Sequence, residues 1–211
     1  LSPMRGMTEA ALAAKEAGAD GIAAINSFGP TLAIDIETGQ PWMGSGDGYG
    51  WMSGTALKPL AIRCVYDVAR AVDLPILGVG GISRGIDVIE IVMAGAWAVQ
   101  ICTVAILRGP SVHGKIANEV NIWLDTHGYS SLSDIRGLAI ERMKDRSVRT
   151  DAVPPTLDVD LCTGCKLCEI SCVYDAIKVV DKKAVLDAEK CWGCGLCVTR
   201  CKPRALRMRY D

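Results

Sequence analysis

The spacing of apolar residues changes character several times along the chain, and each change predicts an element. Over Met7–Ala17 (MTEAALAAKEA) apolar positions recur at helical spacing, with Thr8 placed to cap the first turn. Gly18-Ala19-Asp20 reads as a turn, and the short apolar run Gly21–Ile25 as a buried strand of the parallel type. The alternation then repeats. Leu60–Val72 predicts a helix and Pro75–Val79 a strand; Ile86–Met93 predicts a helix and Ala98–Cys102 a strand. Gly114–His127 and Leu132–Met143 read as closing helices. Helices and strands joined by short links imply an α/β parallel sheet or barrel. Three complete strands cannot close an eight-stranded barrel. The expectation is therefore part of a barrel, completed by upstream sequence or by another chain.

Residues 91–107 carry no charge, which raises the question of a membrane span. Gly95 breaks the run and Gln100 and Thr103 interrupt it, whereas a span needs about 20 apolar residues. A helix end, a turn and a buried strand account for the stretch, and no membrane span is expected.

The pattern shifts again at Arg146–Asp158 (RSVRTDAVPPTLD), a polar stretch with a Pro154–Pro155 pair. It reads as a linker between a first domain at 1–145 and a second at 159–211. The second region predicts strand Thr156–Val159, a loop with a short helix, and a hairpin of Ile177–Val180 and Ala184–Leu186 around Asp181-Lys182-Lys183. A second loop with a helix and a final strand Ala205–Tyr210 follow. Such a small unit cannot bury a large core, so bound groups are expected to supply much of its folding energy.

Cysteines identify those groups. Eight of the ten fall into two frames of the form C-x2-C-x2-C-x3-C: Cys162, Cys165, Cys168, Cys172 and Cys191, Cys194, Cys197, Cys201. The frames are offset by 29 residues, so the unit is an internal repeat. Gaps of two residues let three sulfurs from one tight loop reach one iron–sulfur cube. The fourth cysteine, expected where a helix begins, points away and in two-cluster ferredoxins ligates the other cluster. The spacing therefore predicts one [4Fe–4S] cluster on Cys162, Cys165, Cys168 and Cys201, and a second on Cys191, Cys194, Cys197 and Cys172. Gly164, Gly193 and Gly195 stand where the ligand loops must turn tightly. The proline usual after the fourth cysteine is absent: Val173 follows Cys172, and Lys202 precedes Pro203. Zinc is the alternative, but zinc sites take four cysteines in pairs. A disulfide framework belongs to secreted, loop-rich chains. Composition adds little beyond this. Net charge is −1 over 211 residues, with no basic tail, so no nucleic-acid partner is expected.

A second candidate site lies in the α/β region. Strand Pro75–Val79 runs into Gly80-Gly81-Ile82-Ser83-Arg84-Gly85, and the next strand ends at Cys102-Thr103. Glycines at a strand end let main-chain N–H groups approach a ligand, and the last two βα loops of a barrel commonly hold a phosphate. The competing reading of Gly80-Gly81 is a tight turn with no ligand.

Several stretches occur together in one known family. They are Leu1-Ser2-Pro3, Ala24-Ile25-Asn26-Ser27, Met52–Pro59 (MSGTALKP), Ile76–Ile82 (ILGVGGI) and Val99–Thr103 (VQICT). In these the chain resembles the C-terminal half of the flavin barrel of class I dihydroorotate and dihydropyrimidine dehydrogenases. The cysteine unit resembles the two-cluster arrangement of dihydropyrimidine dehydrogenases. The resemblance implies the C-terminal part of a TIM (β/α)8 barrel followed by a small α+β two-cluster ferredoxin-like domain. It implies FMN with its phosphate gripped at Gly80, Gly81, Cys102 and Thr103, Ser53 and Gly54 in the glycine-rich loop near the flavin, and Asn26 and Ser27 against a pyrimidine. An amide such as Asn26 suits a ring carbonyl and ring N–H, though a loop-capping role is the alternative. The family's flavin-contacting lysine and its catalytic cysteine both fall upstream of Leu1, so no general acid or base is assigned within the chain. Cys64 reads as core and Cys102 as a small filler where the family commonly has glycine.

The function so implied is exchange of a hydride between FMN and C6 of a reduced pyrimidine, with two clusters relaying electrons singly to a ferredoxin or an NAD(P)-binding flavoprotein subunit. The protein is expected to be cytoplasmic and oligomeric. Two other readings stand beside it: a ferredoxin-type electron-transfer subunit of a larger complex, and a related flavin enzyme reducing another activated C=C bond. Trp42, Trp51 and Met52, in a glycine-rich stretch, form either a lid over the site or a packed surface hairpin. His113 and His127 read as ordinary helix residues.

Overall fold

The computed structural model describes residues 6–143 and 152–208, and the chain divides into two compact units, 1–145 and 146–211. In chain order the first contains α1 (Met7–Glu16), β1 (Ile22–Ala24), β2 (Phe28–Thr31), β3 (Gly50–Met52), α2 (Lys58–Ala71), β4 (Ile76–Val79), α3 (Gly85–Met93), β5 (Ala98–Gln100), α4 (Thr103–Arg108), α5 (Val112–His127) and α6 (Leu138–Met143). Strands β1, β4 and β5 pair in parallel in that order, with Ala24 opposite Gly78 and Gly78 opposite Val99. This is a mixed α/β fold with a parallel sheet, consistent with part of a barrel.

One face of the sheet packs on helices. Ile22, Ala24 and Ile76 are buried with Ala61, Val65 and Val68 of α2 and Ile91 and Val92 of α3. Gly78 is required by this packing, because a β-carbon there would lie 2.9 Å from Ile91 Cδ1 and 3.0 Å from Ala96 Cβ. Ala23 and Leu77, on the other face, are exposed. The expectation of a β1 strand buried on both faces is thus corrected. The exposed face is the one that a closed barrel turns inward.

Other boundaries differ for local reasons. The N-cap of α1 is Gly6, in a left-handed conformation at φ 82°, rather than Thr8. The helix expected over Leu132–Met143 is split. Leu132–Asp134 forms a 3₁₀ turn whose Asp134 carboxylate accepts the N–H groups of Ser130 and Ser131, and Gly137, at φ 73°, breaks the chain before α6. β5 ends at Gln100, and the unforeseen helix α4 begins at Thr103. Strands β2 and β3 form an antiparallel ribbon, which the sequence offered only as one of two readings. Among the described residues, no helix is long and apolar enough to cross a membrane.

The second unit contains β6 (Thr156–Leu157), α7 (Leu167–Ser171), β7 (Ile177–Val180), β8 (Lys183–Leu186), α8 (Leu196–Arg200) and β9 (Leu206–Arg207), with β6 antiparallel to β9 and β7 to β8. Its small core is Cys168, Ile177, Ala184 and Leu206. The repeat is written in the backbone: Gly164 and Gly193, Lys166 and Gly195, Asp175 and Arg204 all have positive φ, each pair one repeat apart. Asp181 and Lys182 are both left-handed, as a two-residue hairpin turn with the strands' own twist demands. The C-terminal end of the stretch read as a linker belongs to this unit. A β-carbon on Gly193 would sit 2.8 Å from Val153 O, and Asp158 N–H donates to Ala205 O at 2.8 Å. Leu1-Ser2-Pro3, residues 146–151 and the last two residues of the expected final strand lie outside the described residues.

Candidate functional site

All eight residues singled out for substrate and flavin line one open cleft of about 520 Å³ at the carboxyl ends of the parallel strands. β1 delivers Asn26 and Ser27, β4 delivers Gly80 and Gly81, and β5 delivers Cys102 and Thr103. Ser53 and Gly54 arrive from the segment after β3, and the Thr103 hydroxyl donates to Ser53 Oγ at 3.0 Å, tying two rims together. Asn26 Oδ1 accepts from the N–H of Ser27 at 2.8 Å and from its hydroxyl at 3.3 Å, which leaves the amide –NH2 to donate. Among the described residues, the main-chain N–H groups of Gly80, Gly81, Cys102 and Thr103 donate to no protein acceptor. Four converging donors without partners fit an anionic ligand group.

The glycine loop is held down by a buried charge pair that sequence reasoning missed. A β-carbon on Gly81 would lie 2.6 Å from Lys58 N and Cβ, and one on Gly80 2.8 Å from Ala61 Cβ, so both glycines are pressed against the start of α2. Asp87, 2% exposed, accepts the N–H and hydroxyl of Ser83 and the N–H of Arg84 through Oδ2, while Oδ1 receives Lys58 Nζ at 2.9 Å. Burial pushes this carboxyl up, but Lys58 and the Ser83 donors together hold it below the usual carboxylate range. Lys58 also binds Glu90 at 2.8 Å, and the two carboxylates raise its ammonium against the opposing pull of desolvation. The only sequence signal was an acid in the first turn of a mostly apolar helix.

Ile25, Trp51, Leu57, Gln100 and Ile101 complete much of the lining. Of the aromatic and methionine residues proposed as a lid, Trp51 lines the cleft whereas Trp42 and Met52 do not. Cys64 is buried in the core, where desolvation pushes its thiol up. His113 and His127 are exposed, each with Nδ1 against a carbonyl of its own helix region, Pro110 O and Trp123 O.

The second unit gathers its cysteines in two crossed sets. Cys162, Cys165, Cys168 and Cys201 line one cavity; Cys172, Cys191, Cys194 and Cys197 line another. Each cavity thus takes three cysteines from one frame and the fourth from the other. The fourth cysteine follows a helix rather than beginning one. Cys172 and Cys201 are the extended C-caps of α7 and α8, while the third cysteines, Cys168 and Cys197, lie inside those helices. A left-handed residue, Lys166 or Gly195, turns the chain into each helix at Leu167 or Leu196, ahead of the fourth cysteine. Main-chain donors point at the sulfurs: Ala184 N–H at Cys162 and Ala176 N–H at Cys172, both 3.3 Å, and Gly193 N–H at Cys191, 3.4 Å. The N–H groups of Gly164 and Ala184 lower the Cys162 thiol, whereas burial raises Cys168 and Cys197. Among the described residues, no three His, Cys, Asp or Glu converge closely enough for a single metal ion. The sulfurs instead line two small cavities, four to each.

Comparison with known proteins agrees with both halves. A family model described as dihydroorotate dehydrogenase matches residues 1–124, and one described as 4Fe-4S dicluster domain matches residues 161–205. The chain is 45% identical over 133 residues to the dihydroorotate dehydrogenase B (NAD(+)) catalytic subunit of Methanothermobacter thermautotrophicus, covering 63% of this chain and 43% of that protein. Against the subunit of the same name from Pyrococcus abyssi the figures are 44% over 133 residues, 63% and 44%. Against that from Phocaeicola vulgatus they are 41% over 138 residues, 65% and 44%. The chain spans less than half the length of these relatives.

Proposed function

The chain belongs to the dihydroorotate dehydrogenase family, and we propose that it is the C-terminal part of the flavin barrel of an iron–sulfur dehydrogenase, joined to an electron-relay domain with two [4Fe–4S] clusters. The reaction is interconversion of a pyrimidine and its 5,6-dihydro form, of the dihydroorotate or dihydropyrimidine type. FMN would supply hydride exchange with the pyrimidine ring, and the clusters a one-electron route onward. The observation that carries this reading is the convergence of three strand ends on one cleft whose main-chain donors at Gly80, Gly81, Cys102 and Thr103 lack partners among the described residues. Those four hold the phosphate. Ser53 and Gly54 flank the flavin, and the free amide –NH2 of Asn26 donates to a ring carbonyl with Ser27 beside it. The cleft volume lies in the range of small-molecule sites.

The crossed cysteine sets support cluster one on Cys162, Cys165, Cys168 and Cys201, and cluster two on Cys191, Cys194, Cys197 and Cys172. The proton at C5 is moved by a residue from the remainder of the barrel. The electron partner is an NAD(P)-binding flavoprotein subunit, in keeping with the NAD(+) in the relatives' name, or a ferredoxin. A cytoplasmic, oligomeric assembly completes the proposal. The test is cofactor content of the full-length protein purified without oxygen. One FMN with about eight irons and eight sulfides per protomer is expected, together with bleaching by dihydroorotate or a dihydropyrimidine. Iron and sulfide without FMN would sink the enzyme reading and leave an electron-transfer subunit.

A further inference from the structure

Trp51 occupies a place in the cleft that none of the assignments above uses. It is the middle residue of β3 and lines the cleft together with Asn26, Ser27, Ser53 and Gly54. Its indole lies against the main chain of Gly29: a β-carbon there would sit 2.7 Å from Cε3, 2.9 Å from Cδ2 and 3.0 Å from Gly50 O. Any larger residue at 29 would displace the ring. Gly29 thus lets the indole rest on backbone on one side, while the residue remains 57% exposed in an open cleft. The same device holds the rest of the ribbon. Met43 packs over Gly50 and Pro41 over Gly48, so the loop that carries Trp51 is fixed by its own side chains lying on glycines.

An exposed indole at a cleft rim, braced on one face by main chain, offers its other face to a flat ring. We propose that Trp51 is a specificity-determining platform on which the pyrimidine ring of the substrate stacks, next to Asn26 and Ser27. This rests on the pyrimidine dehydrogenase reading and adds a direction to it. The oxidised pyrimidine is planar and conjugated, whereas the 5,6-dihydro ring is puckered at two saturated carbons. A stacking platform therefore favours the oxidised ring.

The experiment uses the full-length, flavin-replete protein with Trp51→Leu and Trp51→Phe. Orotate binding is read from the flavin absorbance, and the KM for dihydroorotate from turnover. In Trp51→Leu the orotate Kd rises about tenfold and the dihydroorotate KM about threefold or less. FMN content stays at the wild-type level, and Trp51→Phe restores most of the orotate affinity. Equal weakening of both ligands, loss of FMN, or an unchanged orotate Kd each overturns the platform. A wild-type protein that carries FMN but binds neither orotate nor any other pyrimidine overturns the parent reading instead, and the platform with it.

Discussion

The two units build their sites from opposite materials. The cleft of the first is made largely of main chain, namely glycines and, among the described residues, unpaired N–H groups at the ends of β4 and β5. The cavities of the second are made of side chains, eight sulfurs set by a repeated frame. A main-chain site depends on how neighbouring elements press on it, so it is sensitive to bulk. A side-chain site depends on the ligand atoms themselves, so it is sensitive to their identity. That difference orders the expected effects of substitution.

The largest effect falls on ligand identity. Cys201→Ala in the full-length protein removes one sulfur from the set that holds Cys162, Cys165 and Cys168. Total iron should fall by about half, and the surviving electron paramagnetic resonance signal should be that of the Cys191 set. Cys172→Ala should give the reciprocal spectrum. If each substitution instead abolished the cluster of its own frame, the crossed assignment would be wrong.

Bulk at the main-chain site comes next. Gly81→Ala places a methyl 2.6 Å from Lys58 N at a φ of 75°, with main chain in the way and no flexible side chain to yield. A loss of about 2–3 kcal/mol in the first unit's stability is expected, with weakened FMN retention. Gly128→Ala, left-handed at φ 74° but with nothing within 4 Å, should cost only about 1 kcal/mol. Urea unfolding of both variants separates crowding from backbone conformation, and equal losses would remove the argument that α2 shapes the loop.

These two sites were unequally legible in the sequence. Cysteine spacing states its chemistry directly, because four sulfurs at fixed gaps have few other uses, and the crossed sets follow from it. In the first unit the strand-end glycines pointed to a phosphate loop, but only motif resemblance tied them to a flavin, since a main-chain donor leaves no residue type behind except glycine. The support under them was invisible. Lys58 and Asp87 are 29 positions apart and meet only because α2 and α3 flank the same strand. The β2–β3 ribbon stayed one of two readings for a related reason: its glycines serve side chains from elsewhere in the loop, so no alternation marks it as strand. The place of the fourth cysteines, after a helix instead of at its start, was misjudged because a left-handed lysine, Lys166, gives no warning in sequence.

The Asp87 clamp is a smaller lever on the same loop. Asp87→Asn keeps an acceptor for Ser83 but gives up the charged bond from Lys58, for about 1–2 kcal/mol. The carboxyl is held below its ordinary value, so its charge stabilises the fold above the unfolded-chain pKa of about 3.9. That contribution is lost only as pH falls through the still lower folded value. The gap between wild type and Asp87→Asn should therefore be constant from pH 8 to 5 in urea midpoints. A gap that shrank across that window would mean the carboxyl is not held low.

The smallest effect compares the two frames with each other. Lys166 and Gly195 occupy equivalent left-handed positions just before α7 and α8, at φ 62° and 74°. Left-handed backbone costs a residue with a β-carbon about 1–2 kcal/mol, partly offset by the entropy a glycine loses on folding. Lys166→Gly should stabilise the second unit by about 0.5–1 kcal/mol, and Gly195→Lys should destabilise it by a similar amount. The double exchange should return close to wild type, because the two loops share the same backbone path one repeat apart. Cluster retention during thermal ramps measures all three. A destabilised Lys166→Gly would show that the lysine makes a contribution at the first cavity, whose rim it lines, that outweighs its strained backbone.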